Sequence, residues 1–334
     1  MKRIFTWLLS LFSITGLIYY VGPAEILPVL PEFTRPLFVF LILLQTLTLA
    51  TQYFVWHRLL DSAGSQISYP EVVKISLAGS FVESVTPSVK FGGEAAKTYL
   101  FHRHTGLSYD QLTSVLMVQK FVSVLPFLIL LLPVFGLAAF NLNFPPVLHL
   151  LLLGGVLLLL VGTAVVFYLE PATASVSNQE PAGLKNKIIV KFQAARRFVG
   201  RSVQHARHLA GGADLVALLA LSTVIWLLYP LKLYLAAVIL GIQVTPLFIV
   251  VVTYAAYLVS MLPLFPGGLG SYEGTAVLLF ILNGYLAHQG LSLVLISRAV
   301  TFWLPLFFSG VAAAFVFQTQ LDRGLQPQSA GNTG

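Results

Sequence analysis

The sequence has no cysteine among its 334 residues, and only 9% of its residues are charged. Without cysteine there can be no disulfide, thiolate zinc site, iron–sulfur cluster or cysteine nucleophile. A soluble domain carries about 25% charged residues, so this chain has too little charge to cover a surface that faces water. Disorder is excluded as well, because 57% of the residues are apolar and disorder requires low hydrophobicity.

Apolar runs of about 20 residues, the length that an α-helix needs to cross a bilayer, recur along the chain. The candidates are Ile4–Val21, Leu37–Trp56, Leu112–Phe140, Val147–Leu169, Ala213–Leu240 and Leu293–Gln318. We therefore predict an all-α polytopic membrane protein with about six full transmembrane helices.

Two further apolar stretches, Val72–Val89 and Pro246–Leu264, each run into a cluster of proline and glycine. Proline ends a helix, glycine permits a turn with positive φ, and a glutamate suits the first turn of the next helix. The pattern predicts two re-entrant helical hairpins, with short loops between ordinary spans as the alternative. The predicted turn residues are Pro87, Gly92 and Gly93 in the first hairpin, and Pro266, Gly267, Gly268 and Gly270 in the second.

Basic residues indicate which loops are cytoplasmic. Lys2 and Arg3 predict a cytoplasmic N-terminus, and seven Lys and Arg predict the same side for residues 170–212. Counting membrane crossings from the N-terminus puts residues 57–74 in the cytoplasm, and counting back from the basic segment 170–212 puts residues 97–111 there. The chain between them must therefore enter and leave the membrane on the same side. The same count of crossings makes the second hairpin open from outside. Two hairpins of opposite orientation predict an inverted repeat. A cytoplasmic C-terminus and a location in the cell (inner or plasma) membrane are also expected.

Ionisable side chains inside spans are costly, so each is a functional candidate. Basic groups beside helix N-termini are suited to hold a lipid phosphate. The candidates for headgroup binding are Lys90, Glu94, Lys97, Lys120, Lys232, Glu273 and Arg298, and Glu83 lies near them. The alternative is structural pairing of Glu83 with Lys90 and of Glu273 with Arg298, with Lys232 reaching the membrane interface.

Outside the spans, residues 184–209 predict a basic amphipathic helix that rests on the anionic cytoplasmic leaflet. We expect no nucleic-acid partner, and residues 321–334 are predicted to be a disordered tail. The sequence contains no G-x-x-x-x-G-K-[ST] motif, which excludes a Walker-type ATP site. No metal, cofactor or catalytic nucleophile is expected.

Three motifs resemble the lysylphosphatidylglycerol synthase transmembrane-region family. They are Pro87 with Gly93-Glu94-x-x-Lys97, then Pro266-Gly267-Gly268-Leu269-Gly270-x-x-Glu273, then Arg298 with Trp303-x-Pro305 and Gly310. The resemblance covers nearly the whole chain and implies a single flippase-like membrane domain over residues 1–320. One departure is Gln119-Lys120, where the family tends to have Glu-Arg, so an acidic partner is not implied there.

The resemblance implies movement of aminoacylated or otherwise polar-headed lipids between leaflets. From the residues, we expect Lys97, Lys120 and Arg298 to contact the phosphate. Glu94 and Glu273 would cap helices, orient the bases, or bind a cationic headgroup or a proton. Two other functions stay open: an intramembrane transferase that acts on a lipid-linked sugar or phosphate, and an accessory subunit of a lipid-modifying or glycosylation enzyme.

Overall fold

The computed structural model describes residues 36–85, 91–141, 213–261 and 266–325, with a few isolated positions outside these ranges. Several predictions lie outside the described residues: the first span, the span Val147–Leu169, most of the basic helix 184–209, and the residues Pro87 and Lys90. In the described ranges the chain forms helices and turns without any strand, which confirms the all-α class.

Nine helices are described. They are α1 (Pro36–Ser62), α2 (Tyr69–Val85), α3 (Phe91–Thr105), α4 (Tyr109–Asn141), α5 (Ala213–Ile239), α6 (Pro246–Ser260), α7 (Ser271–Leu282), α8 (Ala287–Arg298) and α9 (Leu304–Leu325). A 3-10 turn, Pro266–Gly268, precedes α7, and a π-helical turn, Ala299–Trp303, joins α8 to α9. The last helix extends beyond residue 320, where we expected the membrane domain to end.

Four helices are long and apolar enough to cross a membrane: Pro36–Ser62, Tyr109–Ala138, Asp214–Ile239 and the continuous Ala287–Val316. They confirm four of the predicted spans. Large apolar side chains point outward from them, among them Leu43, Phe307 and Phe315, which are 60%, 67% and 68% exposed. Such exposure is costly in water and is what a lipid-facing surface requires.

The helices at the two proline–glycine clusters are short. Helices α2, α3, α6 and α7 have 17, 15, 15 and 12 residues, so they measure about 18 to 26 Å at 1.5 Å per residue. The hydrocarbon core of a bilayer is about 30 Å thick. Helix α2 packs against α3, and α6 packs against α7, so each cluster joins two short helices that lie side by side.

Two apolar cores hold the helices together. One surrounds Phe127, Trp226 and Tyr254 and joins α4 to α5, α6, α7 and α8. The other surrounds Trp56 and Phe101 and joins α1, α2, α3 and α4. The Trp226 indole N–H donates to the Ser123 carbonyl at 2.7 Å, which fixes α5 against α4. Helix α2 also packs along α9, so the first hairpin contacts the C-terminal span.

Candidate functional site

At the first proline–glycine cluster, Gly92 and Gly93 lie in the first turn of α3 and not in a turn between helices, so that part of the prediction is wrong. Helices α2 and α3 come unusually close together here. The Lys97 side chain lies across Gly79, and a Cβ atom on Gly93 would overlap Glu83 and come within 2.8 Å of the Gly79 carbonyl oxygen. At Gly93 the obstacles include backbone atoms, so no side chain fits there, whereas at Gly79 a side chain would meet the flexible side chain of Lys97. The close approach places the charged side chains of α3 against the end of α2.

Two ion pairs form at this crossing. Lys97 Nζ lies 3.5 Å from Glu83 Oε2, and Lys120 of α4 pairs with Glu94. Lys97 and Glu94 are each only 6% exposed, whereas the Lys120 side chain is 44% exposed. Glu94 Oε2 has no hydrogen-bond partner among the described residues. Glu83 thus pairs with Lys97 on the facing helix. The site also has one half-exposed cation, Lys120, and one buried carboxylate oxygen, Glu94 Oε2, that no described residue binds.

The second cluster forms a tight turn that presents Glu273 to the protein interior. Gly267, Gly268 and Gly270 have φ of 58°, 69° and 87°, a region that favours glycine. The Gly270 amide donates to Glu273 Oε2 at 2.6 Å, so the carboxylate caps the first turn of α7, where the helix dipole also stabilises a negative charge. The glycines thus adopt the positive φ that was predicted for them, and the glutamate lies in the first turn of the next helix as predicted.

Arg298, the last residue of α8, completes this second site. Its Nε donates to Glu273 Oε1 at 2.7 Å, and its Nη2 donates to the Gly267 carbonyl at 3.1 Å. The guanidinium lies between two rings, 4.9 Å from the centroid of Tyr272 and 4.4 Å from that of Phe302. The pairing of Glu273 with Arg298 is therefore confirmed. Removing one partner from a buried pair leaves an uncompensated charge, which costs about 3–5 kcal/mol.

Lys232 forms a third polar site and does not reach the membrane interface, so that prediction is wrong. The side chain is buried, and Nζ donates to Gln45 Oε1 at 2.5 Å and to Thr48 Oγ1 at 3.1 Å. It also lies 4.4 Å from the centroid of Tyr229. Lys232 is about 10 Å from the end of α5, at 1.5 Å per residue, and its acceptors lie on the neighbouring helix α1.

The end of α2 lies beside the turn of the second hairpin. A Cβ atom on Gly267 would lie 3.7 Å from the Ser84 carbonyl oxygen, and Ser84 follows Glu83 at the end of α2. The ion pairs of the first hairpin and the Glu273–Arg298 pair therefore flank the place where the end of α2 packs on the second turn, between Ser84 and Gly267. We call this series of groups the polar seam: Lys120, Glu94, Lys97, Glu83, the Ser84–Gly267 contact, Arg298 and Glu273.

Lys232 stands apart from the polar seam, behind a row of aromatic rings. Tyr229 contacts Tyr257 with 4.7 Å between ring centroids, Tyr257 contacts Tyr272 at 5.1 Å, and Tyr272 covers Arg298.

Sequence reasoning missed Gln45, although a glutamine within the apolar run of α1 is a usable signal. It also missed Gly79, Tyr272 and Phe302, which no sequence pattern distinguishes from ordinary membrane residues. Among the described residues there is no group of three His, Asp or Glu that could hold a metal ion.

Four long apolar helices, an outward apolar surface and ion pairs buried between helices define an integral membrane protein with a polar interior. The chain belongs to the family described as the Lysylphosphatidylglycerol synthase TM region, whose sequence model matches residues 7–309. The match confirms the resemblance drawn from the three motifs.

Archaeal relatives are similar over most of their length. A UPF0104 membrane protein of Pyrococcus horikoshii is 22% identical over 77% of this chain and 80% of its own. A UPF0104 membrane protein of Methanothermobacter thermautotrophicus is 22% identical over 95% of this chain and 96% of its own. One from Methanocaldococcus jannaschii is 23% identical over 95% of both chains. The similarity therefore covers the whole membrane domain.

Proposed function

We propose that this protein moves the polar headgroup of a lipid between the two leaflets of the membrane. The cargo is an anionic or aminoacylated phospholipid, or a lipid-linked intermediate, whose tails stay in the bilayer while its headgroup follows the polar seam. The observation that carries the proposal is the seam itself. Charged groups from both hairpins lie on either side of the Ser84–Gly267 contact, within a molecule whose outer surface is apolar.

The proposed architecture is a pair of re-entrant hairpins in inverted orientation, with α2 and α3 opening to the cytoplasm and α6 and α7 opening to the outside. Three observations support it. The four helices are too short to span the hydrocarbon core as single straight helices, each pair packs together, and the end of α2 packs on the turn between α6 and α7. Transporters with inverted repeats bring broken helices together in this way near the bilayer midplane.

The helix termini suit a phosphate. Helices α3 and α7 both begin beside the meeting point and carry Glu94 and Glu273 in their first turns. Backbone N–H groups at a helix N-terminus, together with the helix dipole, favour an anion. A phosphate that approaches either site can displace a carboxylate that is already bound there, because it offers the lysine or arginine an equivalent partner.

Each charged group has a proposed role. Lys120, which is half exposed, receives the phosphate, and Lys97 and Arg298 bind it in turn along the seam. Glu94 and Glu273 hold these cations while no lipid is bound, and the free Glu94 Oε2 accepts a hydrogen bond from a cationic headgroup. Lys90 stays a predicted headgroup-binding residue, whereas Lys232 stands apart from the seam and adds positive charge only from behind the row of aromatic rings. Because each base has a carboxylate partner, the seam stays electrically balanced when it is empty.

Reconstituted vesicles test this function directly. The purified protein is placed in liposomes with a fluorescent phospholipid in both leaflets, and a membrane-impermeant reductant is added outside. We expect the inner pool to become accessible faster than in protein-free vesicles. Arg298→Ala and Glu94→Gln should each slow this movement by about tenfold, which corresponds to about 1.4 kcal/mol at the barrier.

Arg58→Ala is the matched control, because Arg58 pairs with Asp214 at 2.8 Å on the surface, where both side chains are exposed. It removes the same charge type away from the seam and should leave the rate unchanged. If the wild-type protein moves no lipid, or if all three variants behave alike, the proposal is wrong. Mass spectrometry of the vesicle lipids belongs in the same experiment, because a transferase would change lipid composition and a transporter would not.

A further inference from the structure

The ring of Phe302 lies at the point where the two hairpins meet. Phe302 belongs to the π-helical turn between α8 and α9 and is only 8% exposed. A Cβ atom on Gly267 would lie 2.5 Å from Phe302 Cε2 and 3.7 Å from the Ser84 carbonyl oxygen. The ring therefore occupies the space beside the second turn, on the side where that turn faces the end of α2.

The same ring also covers Arg298. The guanidinium carbon is 4.4 Å from the Phe302 ring centroid, while Nη2 donates to the Gly267 carbonyl and Nε to Glu273. A cation over an aromatic face is attracted by the ring quadrupole. One side chain thus fills the space at the hairpin contact and holds the adjacent guanidinium in its place.

We propose that Phe302 is a positioning residue that closes the polar seam between the two hairpins. Its ring blocks passage between the Glu83–Lys97 pair and the Glu273–Arg298 pair, and a polar headgroup passes only when the ring leaves Gly267. The nature of the cargo rests on the proposed function, whereas the barrier itself is a property of the packing.

The backbone around Phe302 is suited to such a movement. Residues Ala299–Trp303 form a π-helical turn, a wider turn than the α-helix that is often found at functional sites. Pro305 follows it and has no N–H to donate, so a backbone hydrogen bond back to this turn is missing. Gly267, on the other side of the contact, has no side chain to hold the ring in place. The ring can therefore move without unfolding either helix.

Labelling of a single thiol at position 84 tests this barrier, because the chain has no cysteine of its own. Ser84→Cys protein is reconstituted and treated with a charged, membrane-impermeant thiol reagent added from one face or from the other. With Phe302 present, we expect reaction from one face at most. With Phe302→Ala in the same chain, we expect the thiol to become reactive from a face that was closed before.

Trp303→Ala is the matched control. Trp303 is the next residue, its ring lies 5.2 Å from that of Phe302, and it is 49% exposed on the outer surface. Its removal deletes an aromatic ring from the same turn and should leave the labelling pattern unchanged. Phe302→Tyr, which keeps the ring, should also retain the closed pattern.

Several results would overturn the inference. They are reaction from both faces while Phe302 is present, an unchanged pattern in Phe302→Ala, or an equal opening in Trp303→Ala. If Phe302→Ala does not fold, as judged by its elution in size-exclusion chromatography, Phe302→Leu replaces it. Leucine fills the core but cannot cover both Gly267 and the guanidinium, so the same opening is expected, and no change would again overturn the inference.

The labelling does not require lipid movement, so its outcome is separate from that of the vesicle assay. If the wild-type protein moves no lipid but Phe302→Ala opens the contact, the proposed function fails and the barrier stands. If lipid moves but the labelling pattern never changes, the proposed function stands and Phe302 is not the barrier.

Discussion

Lys232 and Arg298 are two buried cations that the protein stabilises in different ways. Arg298 has a carboxylate partner, Glu273, and two aromatic rings. Lys232 has the neutral acceptors Gln45 and Thr48 and one ring, and no carboxylate of the described residues forms an ion pair with it. Charge is costly inside a membrane protein unless it is paired or hydrogen-bonded. Gln45 should therefore contribute strongly to stability.

Replacement of Gln45 by Leu should destabilise the protein by about 2 kcal/mol, since a hydrogen bond to a charged group contributes about 1.5–3 kcal/mol. Lys232→Met should cost less, because it removes the charge together with its need for acceptors. Thermal unfolding in detergent measures both variants and the double variant. We expect the double variant to resemble Lys232→Met alone. A Gln45→Leu protein as stable as the wild type would contradict this account of Lys232.

Residue partners at the site were only partly predictable. The Glu273–Arg298 pair was predicted. The pairing of Glu83 with Lys97 was not predicted, because it depends on how closely Gly79 and Gly93 let α2 and α3 approach. The alternative that Lys232 reaches the interface rested on the length of its side chain, which takes no account of acceptors on another helix. Phe302 carries no sequence signal at all, because an aromatic residue in an apolar run is ordinary.

At the scale of helices, the contact of α2 with α3 depends on two glycines that differ in what a methyl group would meet. At Gly79 it would meet the flexible side chain of Lys97, whereas at Gly93 it would meet the Cα atom of Glu83 and the backbone oxygen of Gly79 at 2.8 Å. A side chain can rotate away, but a backbone can yield only if the helices separate. Gly93 therefore constrains the hairpin more strongly than Gly79.

Gly93→Ala should lower the free energy of unfolding by about 1–3 kcal/mol, the usual cost of overpacking, and by more than Gly79→Ala. Gly136→Ala is the control, because a methyl group there meets nothing within 4 Å. It should be neutral or stabilising by up to about 1 kcal/mol, as alanine favours helix over glycine. Thermal unfolding of the three proteins is compared in one detergent. Equal effects of Gly93→Ala and Gly136→Ala would show that the helices do not pack as described.

Helix positions were more predictable than helix pairing. The four long spans follow directly from hydropathy, and the proline–glycine clusters correctly predicted two places where short helices adjoin. The packing of α2 along α9 and the contact of Ser84 with Gly267 join residues far apart in sequence. No local pattern encodes such contacts, since they depend on how the two halves of the chain pack.

At the scale of the whole molecule, an apolar exterior surrounds a charged interior to which both hairpins and the helices α4 and α8 contribute. Neither hairpin provides the polar seam alone. Glu83 and Lys97 form an ion pair within the first hairpin, next to Ser84, whereas Arg298 binds the carbonyl of Gly267 in the second. The family match over residues 7–309 includes both hairpins and the spans around them. The central claim of the proposed function is geometric: the end of α2 and the turn of the second hairpin meet inside the bilayer, and the two hairpins open to opposite faces.

A cryo-electron microscopy map of the protein in lipid nanodiscs measures this geometry most directly, since it shows the turns and both bilayer surfaces together. We expect Ser84 and Gly267 in contact near the middle of the hydrocarbon core, with α2 and α3 leaving toward one face and α6 and α7 toward the other. A map with either turn in a loop at the membrane surface, or with both hairpins opening to the same face, would contradict the account.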